Sequence, residues 1–143
     1  EWPGVGISVP AWLSDYSNGL MIEHNANLFR WMHITPQKQD IESCDRVGVI
    51  QMLPAGDAEK DVEGRSWEQR KELMRDVIIY TRNNPSILFY ECGNESISRE
   101  HMIEMIAIRD QYDPHGGRAI GSREMLDIRE EKCFTSTKAN TTR

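Results

Sequence analysis

The sequence predicts an α/β fold in which helices alternate with the strands of a parallel sheet. The first observation is the unbroken apolar run of residues 87–90, ILFY. It lacks polar alternation and is typical of a strand that is buried on both faces. The second observation is that helix-like and strand-like patterns alternate along the chain with short connections. Such alternation predicts parallel strands joined by right-handed crossovers.

Four strands are too few for a closed barrel of eight. The pattern therefore leaves two architectures open, a small open α/β sheet or about half of a barrel. Composition does not distinguish between them.

The helices are predicted from apolar residues at helical spacing and from residues that favour helix ends. Thr35 is a favoured N-cap before Pro36, which suits the first helical position. Ser66 and Gln69 have the spacing of a capping box, and Pro85 follows the end of that helix. The predicted helices cover residues 10–24, 35–45 and 66–82, and a fourth begins at Ser96 or Ser98 and buries Met102, Met105 and Ile106.

Three strands are predicted from apolar-rich runs between these helices, and a fourth from the short segment that follows the turn of residues 113–117. They are predicted at residues 26–34, 47–53, 87–90 and 118–122. The acidic stretch of residues 57–63 is interpreted as a solvated loop. After about Leu126 the pattern stops, so we predict one domain over residues 1–126 and a polar tail, disordered or unnatural, over residues 127–143.

The composition argues against several classes of partner. The formal charge is −6, and nucleic acid is not expected because phosphate binding needs a basic face. No apolar stretch approaches the ~20 residues that span a bilayer, and no signal peptide is recognised, so no membrane partner is expected. The sequence leaves a cytoplasmic and a periplasmic location equally open.

The cysteines and histidines do not form a metal-binding pattern. The chain has three cysteines, an odd number, and none of them has CxxC spacing: they are Cys44, Cys92 and Cys133. Their number and spacing argue against a disulfide framework and a zinc site. The four histidines lack an HxxxH pair, so a metal-binding helix is not expected.

Polar side chains accompany two of the predicted strands. Arg30 and His33 lie in the first, and Asn94 and Glu95 follow the third. Because the carboxyl ends of parallel strands share one edge of a sheet, we expect these four residues to converge. A carboxylic acid beside an amide and near cations suits acid–base chemistry on a polar substrate.

Three of these four residues also have a structural explanation. Glu95 precedes a predicted helix, where a carboxylate stabilises the N-terminus. Arg30, inside an apolar run, suits a structural ion pair, and His33 suits a core histidine. The residues alone leave both explanations open.

Four motifs, in order along the chain, resemble those of a known enzyme family. NLFRWMHITP, residues 27–36, is similar to an N-x-x-R-x-x-H signature followed by proline. CDRVG, residues 44–48, resembles a CDxxG helix end, and RNNPS, residues 82–86, resembles an RNHPS segment. GNES, residues 93–96, resembles an acid/base motif. Together they resemble glycoside hydrolase family 2, which includes β-galactosidases, β-glucuronidases and β-mannosidases, over residues 10–125.

The resemblance implies a partial (β/α)8 TIM barrel of about four βα units and a retaining β-glycosidase, β-galactosidase-like, as the parent enzyme. It implies that Glu95 is the general acid/base, that Asn94 contacts a substrate hydroxyl, and that Arg30 and His33 line the pocket. A retaining mechanism needs a second carboxylate as nucleophile. In this family the nucleophile lies on strand seven, which the chain does not reach, so we expect the isolated chain to be inactive.

The resemblance has departures that bear on cofactors. Residues 51–54, QMLP, stand where some β-galactosidases have a metal-binding DEAN-like sequence. We therefore expect no cofactor, although Mg²⁺ occurs in the family. Asn84 stands in place of the histidine of RNHPS, and Tyr90 in place of a tryptophan before the acid/base motif.

A carbohydrate is the expected ligand. The alternative to an enzyme is a non-catalytic carbohydrate-binding or interaction module on a degenerate barrel. In either case, an exposed sheet edge and uncovered apolar faces favour self-association as a homo-oligomer.

Overall fold

The computed structural model describes residues 8–56 and 60–122. In this part of the chain, helices and strands alternate, which confirms the predicted α/β fold. The helices are α1 (Ala11–Glu23), α2 (Lys38–Val47), α3 (Gly64–Thr81) and α4 (Arg99–Tyr112). The strands are β1 (Leu28–Arg30), β2 (Ile50–Pro54), β3 (Ile87–Gly93) and β4 (Ala119–Ser122). The predicted tail of residues 127–143 lies outside the described residues.

The four strands form one parallel sheet in the order β1-β2-β3-β4. A doubly wound sheet reverses its strand order at a switch point, and this sheet does not. Right-handed crossovers between strands in sequential order place successive helices on the same side of the sheet. Of the two architectures left open by the sequence, the sheet is therefore the wall of a partial barrel.

The core lies between the sheet and its helices. Leu53 and Tyr90 are fully buried on the strands, and Met105 is fully buried on α4. The predicted core stripe on α4 is confirmed for Met102 and Met105, while Ile106 is partly buried against the same core.

The other face of the sheet is only partly covered. Leu28 and Ile50 are paired in register on the side of Arg30 and are 44% and 37% exposed. Leu88 is 53% exposed, beside the register shift between β2 and β3. The prediction that residues 87–90 are buried on both faces is therefore wrong at Leu88. The inner face of a barrel is filled by side chains from several strands, and four strands leave it open.

Backbone conformation explains why β1 and β2 are shorter than predicted. His33 has φ 69°, in the left-handed region, which an extended strand does not enter. Gly48 has φ 89° and ends α2 as its C-cap, because glycine adopts this conformation without steric cost. Strand β2 therefore begins only at Ile50.

Two predicted helix starts are wrong. Helix α2 begins at Lys38 with Gln37 as N-cap, and the Thr35 hydroxyl instead donates to the Pro54 carbonyl oxygen at 2.8 Å. Helix α3 begins at Gly64, so the box that starts at Ser66 lies inside the helix. For α4, the structure selects Ser98, whose hydroxyl accepts from the His101 N–H at 3.3 Å.

Candidate functional site

The candidate site lies at the carboxyl ends of β1 and β3. Arg30 is the last residue of β1, and Asn94 and Glu95 directly follow β3. Strand β2 separates the two, with Met52 in register with Arg30 on one side and with Phe89 on the other. Contacts between Arg30 and the residues that follow β3 therefore cross the intervening strand.

Arg30 makes these cross-strand contacts with its guanidinium group. Its Nε donates to Glu91 Oε1 at 2.8 Å, and its Nη2 donates to the same oxygen. Nη2 also donates to Asn94 Oδ1 at 2.8 Å. The structural explanation for Arg30 therefore holds, since it forms an ion pair, and the same group also reaches the predicted site.

Asn94 also forms a hydrogen bond with Glu95. Its Nδ2 donates to Glu95 Oε1 at 3.3 Å. A guanidinium carries only donors, so the amide oxygen of Asn94 must face Arg30 and its NH₂ must face Glu95. The structure thus brings Arg30, Asn94 and Glu95 into one hydrogen-bonded series, as expected from their positions on the strands.

His33 lies in the adjacent β1–α2 loop, three residues after Arg30, and is partly buried. Its left-handed backbone is uncommon for a residue other than glycine and costs on the order of 1–3 kcal/mol. Such conformations cluster at functional sites, which favours a functional explanation of His33 over a plain core histidine.

Glu91 belongs to the site but escaped the sequence analysis. It is 1% exposed, and a carboxylate buried to that extent requires a compensating charge. That charge is Arg30, which is 61 residues earlier in the chain. The signal in the sequence was a pair of opposite charges inside two apolar runs, but only the fold shows that the runs are close together.

Two of the four motifs support the fold at the other end of the sheet. Asp45, in CDRVG, accepts from Asn84 Nδ2 at 2.6 Å and from the Ser86 backbone N–H at 3.0 Å. These bonds join the end of α2 to the start of β3. Asn84 thus provides a side-chain donor to Asp45 although the family pattern has histidine at this place.

The acidic stretch before α3 is not simply a solvated loop. Asp61 is partly buried and accepts from the Ser98 N–H at 2.8 Å, and its own N–H donates to Ser96 Oγ at 2.8 Å. The solvated-loop interpretation is wrong for this residue. Asp57 and Glu59 lie outside the described residues.

The described part of the chain contains neither a grouped set of metal ligands nor a membrane-spanning helix. Within residues 8–56 and 60–122, no three His, Cys, Asp or Glu side chains are grouped to hold a metal ion. No described helix is long and apolar enough to cross a membrane.

Cys44 and Cys92 are buried free thiols, and burial, followed by the nearby carboxylates, raises the pKa of Cys44 to about 12.

A wall of sequential parallel strands with polar groups at its carboxyl ends defines the class as a (β/α)-barrel enzyme domain. Comparison with known proteins identifies the family within this class. The family model for the glycosyl hydrolases family 2 TIM barrel domain matches residues 2–125. The chain belongs to this family and is part of its catalytic domain.

The similar proteins include β-glucuronidases. One from Formosa agariphila is 34% identical over 140 residues, which cover 98% of this chain and 14% of that protein. A solved family 2 β-glucuronidase is 34% identical with a TM-score of 0.76, over 81% of this chain and 12% of the other. Bacteroides uniformis β-glucuronidase 3 shares the fold with a TM-score of 0.72 at 19% identity, over 83% of this chain and 17% of the other. The chain thus spans a small part of the length of these relatives.

Proposed function

We propose that the protein containing this chain is a retaining β-glycosidase with Glu95 as its general acid/base. The observation that carries the proposal is the hydrogen-bonded series from Arg30 through Asn94 to Glu95. It stands at the carboxyl ends of the strands, where barrel enzymes have their catalytic residues. The amide of Asn94 fixes one oxygen of the Glu95 carboxyl group.

The reaction has two steps. In the first, Glu95 gives its proton to the leaving oxygen as the glycosidic bond breaks, and a second carboxylate bonds to the anomeric carbon. In the second, Glu95 takes a proton from the water that displaces this carboxylate. A retaining enzyme holds the two carboxyl groups about 5–5.5 Å apart. We place the second carboxylate on a barrel strand other than β1–β4.

The remaining site residues bind the substrate or orient the residues that bind it. The NH₂ group of Asn94 has two N–H donors. One is bonded to Glu95, and we assign the other to the substrate hydroxyl beside the reacting carbon. Arg30 orients Asn94, and His33 lines the pocket next to it.

The relatives favour a β-glucuronide as substrate over the β-galactoside expected from the sequence. Both relatives at 34% identity are β-glucuronidases. The charge of Arg30 is matched by Glu91, so Arg30 is not a cation reserved for the carboxylate of the sugar. We therefore assign recognition of that carboxylate to a cation elsewhere in the whole protein.

The test is an assay of the full-length protein on a panel of 4-nitrophenyl β-glycosides. We expect turnover of the β-glucuronide with retention at the anomeric carbon, and a loss of about 10²–10⁴-fold in Glu95→Gln. Glu100→Gln, at an exposed position in the first turn of α4, is the matched control. Sugar binding by calorimetry without any turnover would instead identify a non-catalytic carbohydrate-binding module.

A further inference from the structure

The loop that carries Glu95 is fastened on its other side by a residue from the β2–α3 connection. The Asp61 N–H donates to Ser96 Oγ at 2.8 Å, and Ser96 directly follows Glu95. The Asp61 carboxylate accepts from the Ser98 N–H at 2.8 Å. Since Arg30 holds Asn94, the two neighbours of Glu95 in the chain are both anchored to other elements.

His101 completes this second anchor. Its Nδ1 lies 2.8 Å from Asp61 Oδ1 and 2.9 Å from Oδ2. An ionised carboxylate only accepts hydrogen bonds, so Nδ1 carries the proton and donates. The imidazole ring stacks on Trp67 of α3, with ring centroids 3.8 Å apart and an interplanar angle of 13°. His101 of α4, the partner of Asp61, is thus also packed against α3.

Hydrogen bonds favour the ionised form of Asp61. Burial opposes its charge, but the hydrogen bonds from His101 and Ser98 outweigh burial and hold the pKa of Asp61 below its ordinary value. Charged side chains near this pair include Arg70, whose Nη2 donates to the Lys60 carbonyl oxygen at 3.2 Å. They also include Glu104, which accepts from Trp67 Nε1 at 3.1 Å, and Lys71, whose Nζ donates to Glu104 at 2.7 Å.

Capping of α4 accounts for only part of these contacts, because the Ser98 N–H that Asp61 accepts from belongs to the N-cap residue of that helix. The Ser98 hydroxyl already accepts from the His101 N–H as the N-cap of that helix. The bond from Asp61 to Ser96 lies before the helix, next to Glu95. The bond to Ser96 therefore ties Asp61, and His101 through Asp61, to the segment that carries Glu95.

We propose that Asp61 and His101 are positioning residues for Glu95, which fasten its loop to α3 and α4 and so fix its carboxyl group at the scissile oxygen. The inference rests on the proposed function. It assigns to an acidic residue of the β2–α3 connection a role in the geometry of acid catalysis, through Ser96 and Ser98.

The test compares leaving groups in the full-length protein. Protonation by Glu95 matters for a poor leaving group such as phenolate and little for 2,4-dinitrophenolate, which departs without a proton. We expect kcat/KM of Asp61→Ala to fall about 10²-fold on the phenyl β-glycoside, because small misplacement of a catalytic group costs about that much. On the dinitrophenyl β-glycoside we expect a fall of no more than about threefold.

Two further variants keep the result decisive. His101→Phe retains the ring stack on Trp67 but loses the bond to Asp61, so it should show the same leaving-group pattern even if Asp61→Ala folds poorly. Asp76→Asn removes a surface partner of Arg75 on α3 and should change neither rate.

The outcomes separate the two proposals. If kcat/KM falls equally on both substrates, the pair only supports the fold and the inference is overturned. The inference is also overturned if kcat/KM falls in neither Asp61→Ala nor His101→Phe. Glu95→Gln is measured in parallel. If Glu95→Gln discriminates between leaving groups and Asp61→Ala does not, only the positioning role fails. If Glu95→Gln remains fully active on the phenyl glycoside, the proposed function itself fails.

Discussion

Replacement of Arg30 by methionine tests how strongly the buried ion pair holds the two strand ends together. Glu91 is 1% exposed, whereas the Arg30 side chain is 28% exposed. Arg30→Met leaves the Glu91 carboxylate buried without the guanidinium, and removal of one partner of a buried pair costs about 3–5 kcal/mol. Because Arg30 is partly exposed, we expect the lower end, about 3 kcal/mol of unfolding free energy.

The reverse change should cost less. Glu91→Gln leaves Arg30 charged, but the partly exposed guanidinium has access to water, so we expect about 1–2 kcal/mol. The double variant Arg30→Met/Glu91→Leu replaces both charges by apolar groups and should recover most of the loss, since a well-packed apolar pair is often no less stable than a buried ion pair.

The assay is urea unfolding of the chain followed by circular dichroism, with the free energies compared as a double-mutant cycle. Arg46→Met breaks the surface pair with Asp15 and should leave the midpoint nearly unchanged, because exposed pairs contribute little. If Arg30→Met shifts the midpoint no more than Arg46→Met does, or if the double variant is as unstable as the sum of the singles, the reasoning about burial is wrong.

Four other predictions concern acid stability, thiol reactivity, assembly and activity. Because the pKa of Asp61 is below its ordinary value of 3.8, its contribution to stability is present above that value and is lost as the pH falls through the lower folded-state pKa. Asp61→Asn should therefore have a lower urea midpoint than the wild type at neutral pH, and the two midpoints should converge as the pH falls below about 4. A constant difference between the midpoints across this pH range would contradict this prediction. Cys44, with its pKa raised to about 12, should be alkylated at pH 8 only after unfolding, as peptide mass spectrometry measures, and rapid native labelling would refute its burial. Light scattering should show self-association of the chain through its open sheet face, and a monodisperse monomer would exclude it. The 143-residue chain alone should not hydrolyse nitrophenyl β-glycosides, and turnover that Glu95→Gln abolishes would contradict a nucleophile on another strand.

The sequence predicted the alternation of elements but not their arrangement. Apolar runs, helical spacing and residues that favour helix ends or turns together predicted all four strands and all four helices among the described residues. The choice between an open sheet and a barrel wall needed the strand order, which depends on tertiary packing. Thr35 was misinterpreted because its preference for helix ends was outweighed by a hydrogen bond to Pro54, a partner 19 residues away.

The candidate site was predictable where motifs fixed it. Arg30, Asn94 and Glu95 follow from the strand ends and from the family resemblance, and they meet in the structure. Asp61 was missed because nothing local distinguishes a paired carboxylate from a solvated one, and Glu91 was missed because the apolar run that contains it does not identify its partner. Their partners Arg30 and His101 are 61 and 40 residues away in the chain.

The sequential strand order also has a consequence for how the chain forms during synthesis. Each of β2, β3 and β4 pairs with the strand completed just before it, so none of these three pairings waits for a partner from later in the chain. Contacts between neighbouring units keep the loop-closure cost of each addition small. The wall can therefore grow one βα unit at a time from the ribosome. At every stage, the newest strand is, like β1, an unpaired edge that a chaperone or another nascent chain can meet.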